Sequence, residues 1–110
     1  MQKYITVGRW MSKQEYGKMM KTGKVQESFC GTTYVANPAR AEAFIKQTPP
    51  YSYYVEFDVP RSIVKPTSDE GWAKIIGPNS VQGRLAKRKG LPIPEMPAAI
   101  NIHHNATKLG

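Results

Sequence analysis

The chain has 110 residues, enough for one domain around one modest core. Its 16 Lys and Arg against 8 Asp and Glu leave a net charge of +8, which favours anionic partners (nucleic acid, an acidic protein face or a phosphate-bearing cofactor) and is equally the charge of a well-solvated small domain. A single cysteine, Cys30, excludes an internal disulfide and a cysteine metal site and is expected to pack as a small apolar residue, and no apolar run approaches the length of a membrane span.

The run Lys3–Arg9, KYITVGR, carries β-branched and aromatic residues and predicts a strand that ends on an arginine. Met1 stands directly against it with no charged-then-apolar leader, so the chain is expected to be a free-standing cytosolic domain or a piece of a longer protein. Ser12 opens SKQE, a capping box with Glu15, and Tyr16, Met19 and Met20 then fall at helical spacing up to a closing Gly23. Val25–Phe29 reads as a short strand, and Gly31 leads into the strong β-formers of GTTYVA, Gly31–Ala36. Asn37 and Pro38 predict the cap and first position of a second helix with Ala41, Phe44 and Ile45 as its apolar stripe and Thr48-Pro49-Pro50 as its end.

Tyr51–Val59 alternates, with Tyr53, Val55, Phe57 and Val59 on one face and Tyr54, Glu56 and Asp58 on the other. Lys65–Gly71 reads as a polar loop and Trp72–Ile76 as a strand. Pro78-Asn79-Ser80 opens a third helix, VQGRLAKRK, stopped by Gly90 and Pro92. Three prolines, Pro92, Pro94 and Pro97, lead to a last strand at Ala98–His103, which runs out into a loose tail over 103–110. The elements predict a single α+β domain over 1–110, with a mixed or antiparallel sheet and about three short helices.

Several side chains carry possible chemistry, and each has an ordinary structural reading beside it. Arg9, at the end of a strand, can grip a diphosphate or ribose with its fork, or form a surface ion pair; Trp10 can shield it or belong to the core. Thr32 and Thr33 can hydrogen-bond a ribose or orient a carboxylate, and Tyr34 can stack on a nicotinamide ring, yet all three are also good strand residues. Breaking an N-glycosidic bond builds positive charge that a carboxylate stabilises. Glu70, in the polar loop, and Glu95, between prolines, can each project into a cleft, and Glu56 sits mid-strand as a solvated residue. The basic helix residues Arg84, Lys87, Arg88 and Lys89 can dock RNA phosphates or an acidic partner, or simply complement the helix dipole. His103 and His104, adjacent on a strand, point to opposite faces and make a metal pair improbable.

The run VGRWMS, then GTTYVA with NPARAEAF, then YVEFDVP, then GWAKIIGPNSVQGRLAKRKGLPIPEMPAAINI resembles the C-terminal toxin domains of bacterial polymorphic toxins, and most of all the TreTu-type ADP-ribosyltransferase domain carried by Rhs proteins. The resemblance implies an ADP-ribosyltransferase-like fold and transfer of ADP-ribose from NAD to elongation factor Tu or to structured RNA. It also implies delivery within a larger secreted effector into the cytoplasm of a competing bacterium, a cognate immunity protein, and neither membrane nor metal partner. In the superfamily's Arg–Ser/Thr–Glu pattern Arg9 matches the first element and Thr32 and Thr33 the second. Glu70 or Glu95 fills the third by order along the chain, although the ExE or QxE form is absent, and Asn79, Ser80 or Gln82 can share the role. Phe44 is expected near the nicotinamide, beside Tyr34. Two other readings stand: a small basic ribonuclease using His103 or His104, and a non-catalytic module that binds RNA or protein through its basic face.

Overall fold

The computed structural model describes residues 3–109. Met1, Gln2 and Gly110 lie outside the described residues, and with them the start of the chain and the last residue of the expected tail. Strand β1 (Tyr4–Met11) is followed by helix α1 (Lys13–Thr22) and strand β2 (Thr32–Ala36). Strands β3 (Tyr53–Pro60), β4 (Val64–Pro66) and β5 (Trp72–Ile76) come next, then helix α2 (Val81–Lys89) and strand β6 (Ile100–Thr107). All six strands form one curled sheet in the order β4-β5-β2-β1-β3-β6, every neighbouring pair antiparallel.

Two α-helices, not about three, accompany this sheet, and the sheet is antiparallel rather than mixed. The helix expected after Asn37 is replaced by turns and a 3-10 turn at Ile45–Gln47. Its carbonyls and side chains are claimed from outside. The Trp10 indole N–H donates to the Ala41 carbonyl at 2.8 Å, and Phe44, at φ 66°, lays its ring edge-on against Trp72. A segment this short is marginal as a helix in water, so a few tertiary contacts override its pattern.

Other elements shift for similar reasons. Val25–Phe29 is not a strand: Lys24 bridges Ala98, the Val25 N–H donates to the Pro97 carbonyl, and Val25 is buried in the core. Part of the expected polar loop, Lys65–Pro66, pairs with β5 as the end of β4. The residues read as a loose tail continue β6 as far as Thr107, opposite Tyr53, and Lys108 exchanges backbone hydrogen bonds with Tyr51 and Ser52. Cys30 is exposed rather than packed.

The apolar alternation of β1 and β3 builds the core. Val7 and Met11 face Val55, Phe57 and Val59, and Val35 and Ile75 extend that layer across β2 and β5. Helix α1 closes over it with Met19, which is fully buried. Burying a side chain of this size is worth roughly 1.5–3 kcal/mol. The helix ends as its sequence predicts: the Ser12 hydroxyl accepts from the Glu15 N–H, and Gly23 (φ 69°) closes the last turn. The opposite face of the sheet carries an aromatic layer, where Tyr54 lies across Gly8 so closely that a Cβ at Gly8 would overlap the phenol. Tyr54 also packs against Trp10 and donates its hydroxyl hydrogen to Glu56.

Candidate active site

The site arises where the sheet comes apart. Strands β1 and β3 stay in register over eight residues, from Tyr4 opposite Pro60 to Met11 opposite Tyr53. Strand β1 meets β2 at Gly8 opposite Ala36, and past that point the two strands diverge. Arg9 is the next residue. Alternation puts it on the same face as Val7 and Met11, toward α1, and its guanidinium bridges the divergence. Nε and Nη2 donate to the Glu15 carboxylate at 2.7 and 3.3 Å, and Nη1 donates to the Tyr34 carbonyl at 2.8 Å. One strand edge that lost its ladder partner is thereby satisfied by a side chain. Three of the five guanidinium N–H groups are used, leaving one on each terminal nitrogen for a ligand.

Two hollows flank this ion pair. One, of about 390 Å³, is lined by Arg9, Trp10, Glu15, Tyr34, Phe44 and Trp72. The other, of about 380 Å³, is lined by Arg9 and Glu15 again, with Glu27, Ser28 and Phe29. Each lies within the usual size of a small-molecule site, about 300–1,000 Å³. The Arg9–Glu15 pair is partly accessible, with side chains 18% and 20% exposed, so it is desolvated enough to be firm and open enough to be touched. Trp72 also lines an adjoining hollow that contains Glu70, Arg40 and Glu42.

Thr33 is fully buried, and its hydroxyl donates to the Gln26 carbonyl and accepts from the Ser28 N–H, both at 3.0 Å. It therefore pins the loop over 26–31 to the start of β2, while Thr32, one residue back, is half-buried and gives its carbonyl to the Ser28 hydroxyl. Asn79 donates its backbone N–H and side-chain amide to the Glu27 carboxylate at 2.7 and 2.8 Å. Ser80 is fully buried as the cap of α2, accepting from Gly83 at 2.9 Å. Gly31 (φ 82°) lies so close to Asn79 and Ser80 that a Cβ would overlap their backbone. The Gly77-Pro78-Asn79-Ser80 turn thus braces the loop on which Glu27 and Phe29 sit.

The structure brings Arg9, Trp10, Tyr34 and Phe44 to one hollow and Glu70 to the next. Glu95 lies on the proline-rich segment and lines neither. His104 stacks on Tyr53 with ring centroids 3.9 Å apart, and His103 stands opposite Glu56 in the register of β3 and β6. Among the described residues no group of three or more His, Cys, Asp and Glu could hold a metal. No helix among them is long and apolar enough to cross a membrane.

Sequence reasoning missed Glu15, Glu27 and Phe29. Glu15 completes a capping-box pattern with Ser12, yet its carboxylate turns to Arg9. The one available signal was its position six residues after an arginine that ends a strand. Glu27 and Phe29 fall in the segment that reads as a short strand, which carries no sign of a site; Phe29 is fully exposed at the rim of the second hollow. Its ring stands at the mouth of that hollow beside Glu27 and Ser28, within reach of anything bound there.

Among curated proteins, no match to the chain was found. Against protein-family models, residues 4–103 match the family described as TreTu toxin, C-terminal domain. With strands β1 to β5, the divergence at Arg9 and the loop braced by Gly77–Ser80 all inside the matched span, the chain belongs to the TreTu toxin C-terminal domain family.

Proposed function

We propose that this toxin-family domain is an NAD-dependent mono-ADP-ribosyltransferase that modifies a component of the translation machinery, an elongation factor Tu-like GTPase or a structured RNA, and so stops protein synthesis in a target bacterium. One observation carries the reading: a held arginine separates two hollows, one walled by aromatic rings and the other rimmed by one. An elongated dinucleotide suits that shape, with its diphosphate on the two remaining N–H groups of Arg9 and a ring system in each hollow. NAD enters as the substrate that supplies the ADP-ribosyl group and the nicotinamide leaving group.

The chain's own residues divide the work. Arg9 binds the anionic centre, and Glu15 together with the Tyr34 carbonyl fixes its orientation. Tyr34 and Phe44 wall the nicotinamide, with Trp72 behind them. Phe29 offers a face to the other base. Glu70 stabilises the positive charge that builds at the anomeric carbon as the N-glycosidic bond breaks; the acceptor then forms the new bond there and gives up its proton to solvent. Thr33 and Asn79 act at one remove, by holding the loop. In the cell, the domain would reach its target as part of a larger secreted effector, and the producer would carry an immunity protein.

The test is incubation of the purified domain with NAD labelled in its adenylate half and a bacterial extract. Label should appear on protein or RNA, and Arg9→Ala should lower transfer by about 100-fold or more while the domain stays folded. Glu70→Gln should lose transfer and Glu95→Gln keep it. No label transfer from folded wild-type protein, or RNA cleavage without NAD, would remove this reading.

A further inference from the structure

Helix α2 is bound to the rest of the domain by its ends and by one residue. Of its nine residues only Gly83 is buried, against the Pro78 carbonyl. The Ser80 hydroxyl caps its first turn, Gly90 (φ 69°) closes its last, and the Leu91 N–H returns to the Ala86 carbonyl at 2.9 Å. Those caps let a short helix stand with its outward face largely open to solvent.

That face has a definite pattern. Val81, Arg84, Leu85 and Arg88 fall at i, i+3, i+4 and i+7 and line one shallow hollow of about 300 Å³. Val81 is 68% exposed and Leu85 45%, and Leu91 and Ile93 continue the apolar surface beyond the helix. From Val81 to Pro94 there are four cations and no carboxylate.

We propose that this stripe docks an acidic protein surface, one that presents apolar side chains to Val81 and Leu85 and carboxylates to Arg84 and Arg88. Charge decides against a second copy of the chain, which carries +8 and would be repelled. Nucleic acid fits the cations but not the aliphatic side chains, because single-stranded bases are held on aromatic faces and this stripe has none. An apolar centre ringed by charge is the composition of a protein–protein contact. The inference stands apart from the chemistry proposed at Arg9 and survives its failure.

The test is a fluorescence-anisotropy titration of the whole domain with three labelled probes. One is a four-turn helical peptide with leucines along one face and glutamates elsewhere; the second replaces its leucines by serine; the third is oligouridine of equal charge. The leucine–glutamate peptide should bind about tenfold more tightly than either control. Val81→Ser with Leu85→Ser should weaken that peptide about tenfold and leave oligouridine unchanged, and Arg84→Glu with Arg88→Glu should weaken all charged probes. The four side chains are exposed, so the melting temperature should not move, and a check of it guards against misfolding. Failure of the leucine–glutamate peptide to bind, oligouridine binding as tightly as that peptide, or indifference to the Val81 and Leu85 changes would overturn the proposal.

Discussion

The two halves of the sheet are held together by different physics. Strands β1, β3 and β6 are eight residues each, and apolar side chains hold β1 to β3: Val7, Val55, Phe57 and Val59 are fully buried there, while β6 adds only the partly buried Ile102 to that core. Strands β2, β4 and β5 are three to five residues long. They also contribute Val35 and Ile75 to the core, but their loops are tied by polar groups: Thr33 to Gln26 and Ser28, Glu27 to Asn79, the Gly77 N–H to the Gly31 carbonyl. The first half is a rigid platform because hydrophobic packing is dense and insensitive to direction. The second is exact in geometry and weaker in energy, because each net hydrogen bond is worth only about 1 kcal/mol. A cleft at their junction inherits a firm wall with Arg9 on one side and an adjustable wall with Glu27 and Phe29 on the other.

The comparison is sharpest in the core. Phe57→Ala should cost about 3–5 kcal/mol, and a urea titration that finds less than about 1 kcal/mol would deny β3 its place as the platform. Gly31→Ala comes next, at about 3 kcal/mol, since the residue has φ 82° and its new methyl meets the backbone of Asn79 and Ser80. Thr33→Val keeps the shape and removes two hydrogen bonds, so it should cost about 2 kcal/mol and raise amide exchange chiefly over 26–31. If exchange rises equally in β1 and β3, the two halves are not separately held.

The smallest effect is one of pH. Burial, then the hydrogen bond to Glu56 and the charges of Glu56 and Glu42, push the Tyr54 phenol above the ordinary tyrosine range. A group whose folded value is raised gives stability that is fully present below the unfolded value of about 10 and is lost as pH rises toward the folded value. The melting temperature of the wild type should therefore fall more steeply above pH 10 than that of Tyr54→Phe. Superimposable slopes would show that the ring is not shielded by the Gly8 contact.

Local patterns account for what was legible. The caps at Ser12, Gly23, Ser80 and Gly90 read correctly because each rests on a bond within four residues. The alternation of β3 read correctly because one face is apolar throughout. The region after Asn37 carries a helical pattern but folds as turns because its outcome depends on Trp10 and Trp72, which lie far away in sequence. The end of β6 is not legible in the sequence because polar residues such as His103, His104 and Asn105 look like a tail until β3 offers them an edge to pair with. In the site, Arg9 stood out by its place at a strand end, whereas Glu15 and Glu27 acquire meaning only from what they face.

By itself, the order of residues determined strands β1, β2, β3 and β5 and the ends of α1 and α2, since these depend on short-range geometry and on side-chain period, and its motifs carried the family resemblance. Only the tertiary structure decided that β1 and β2 separate after Gly8, that a guanidinium fills the opening, and that carboxylates from α1 and from a loop gather beside it. Those are contacts between segments brought together by burial of the core, and their energies depend on distances that no local pattern encodes.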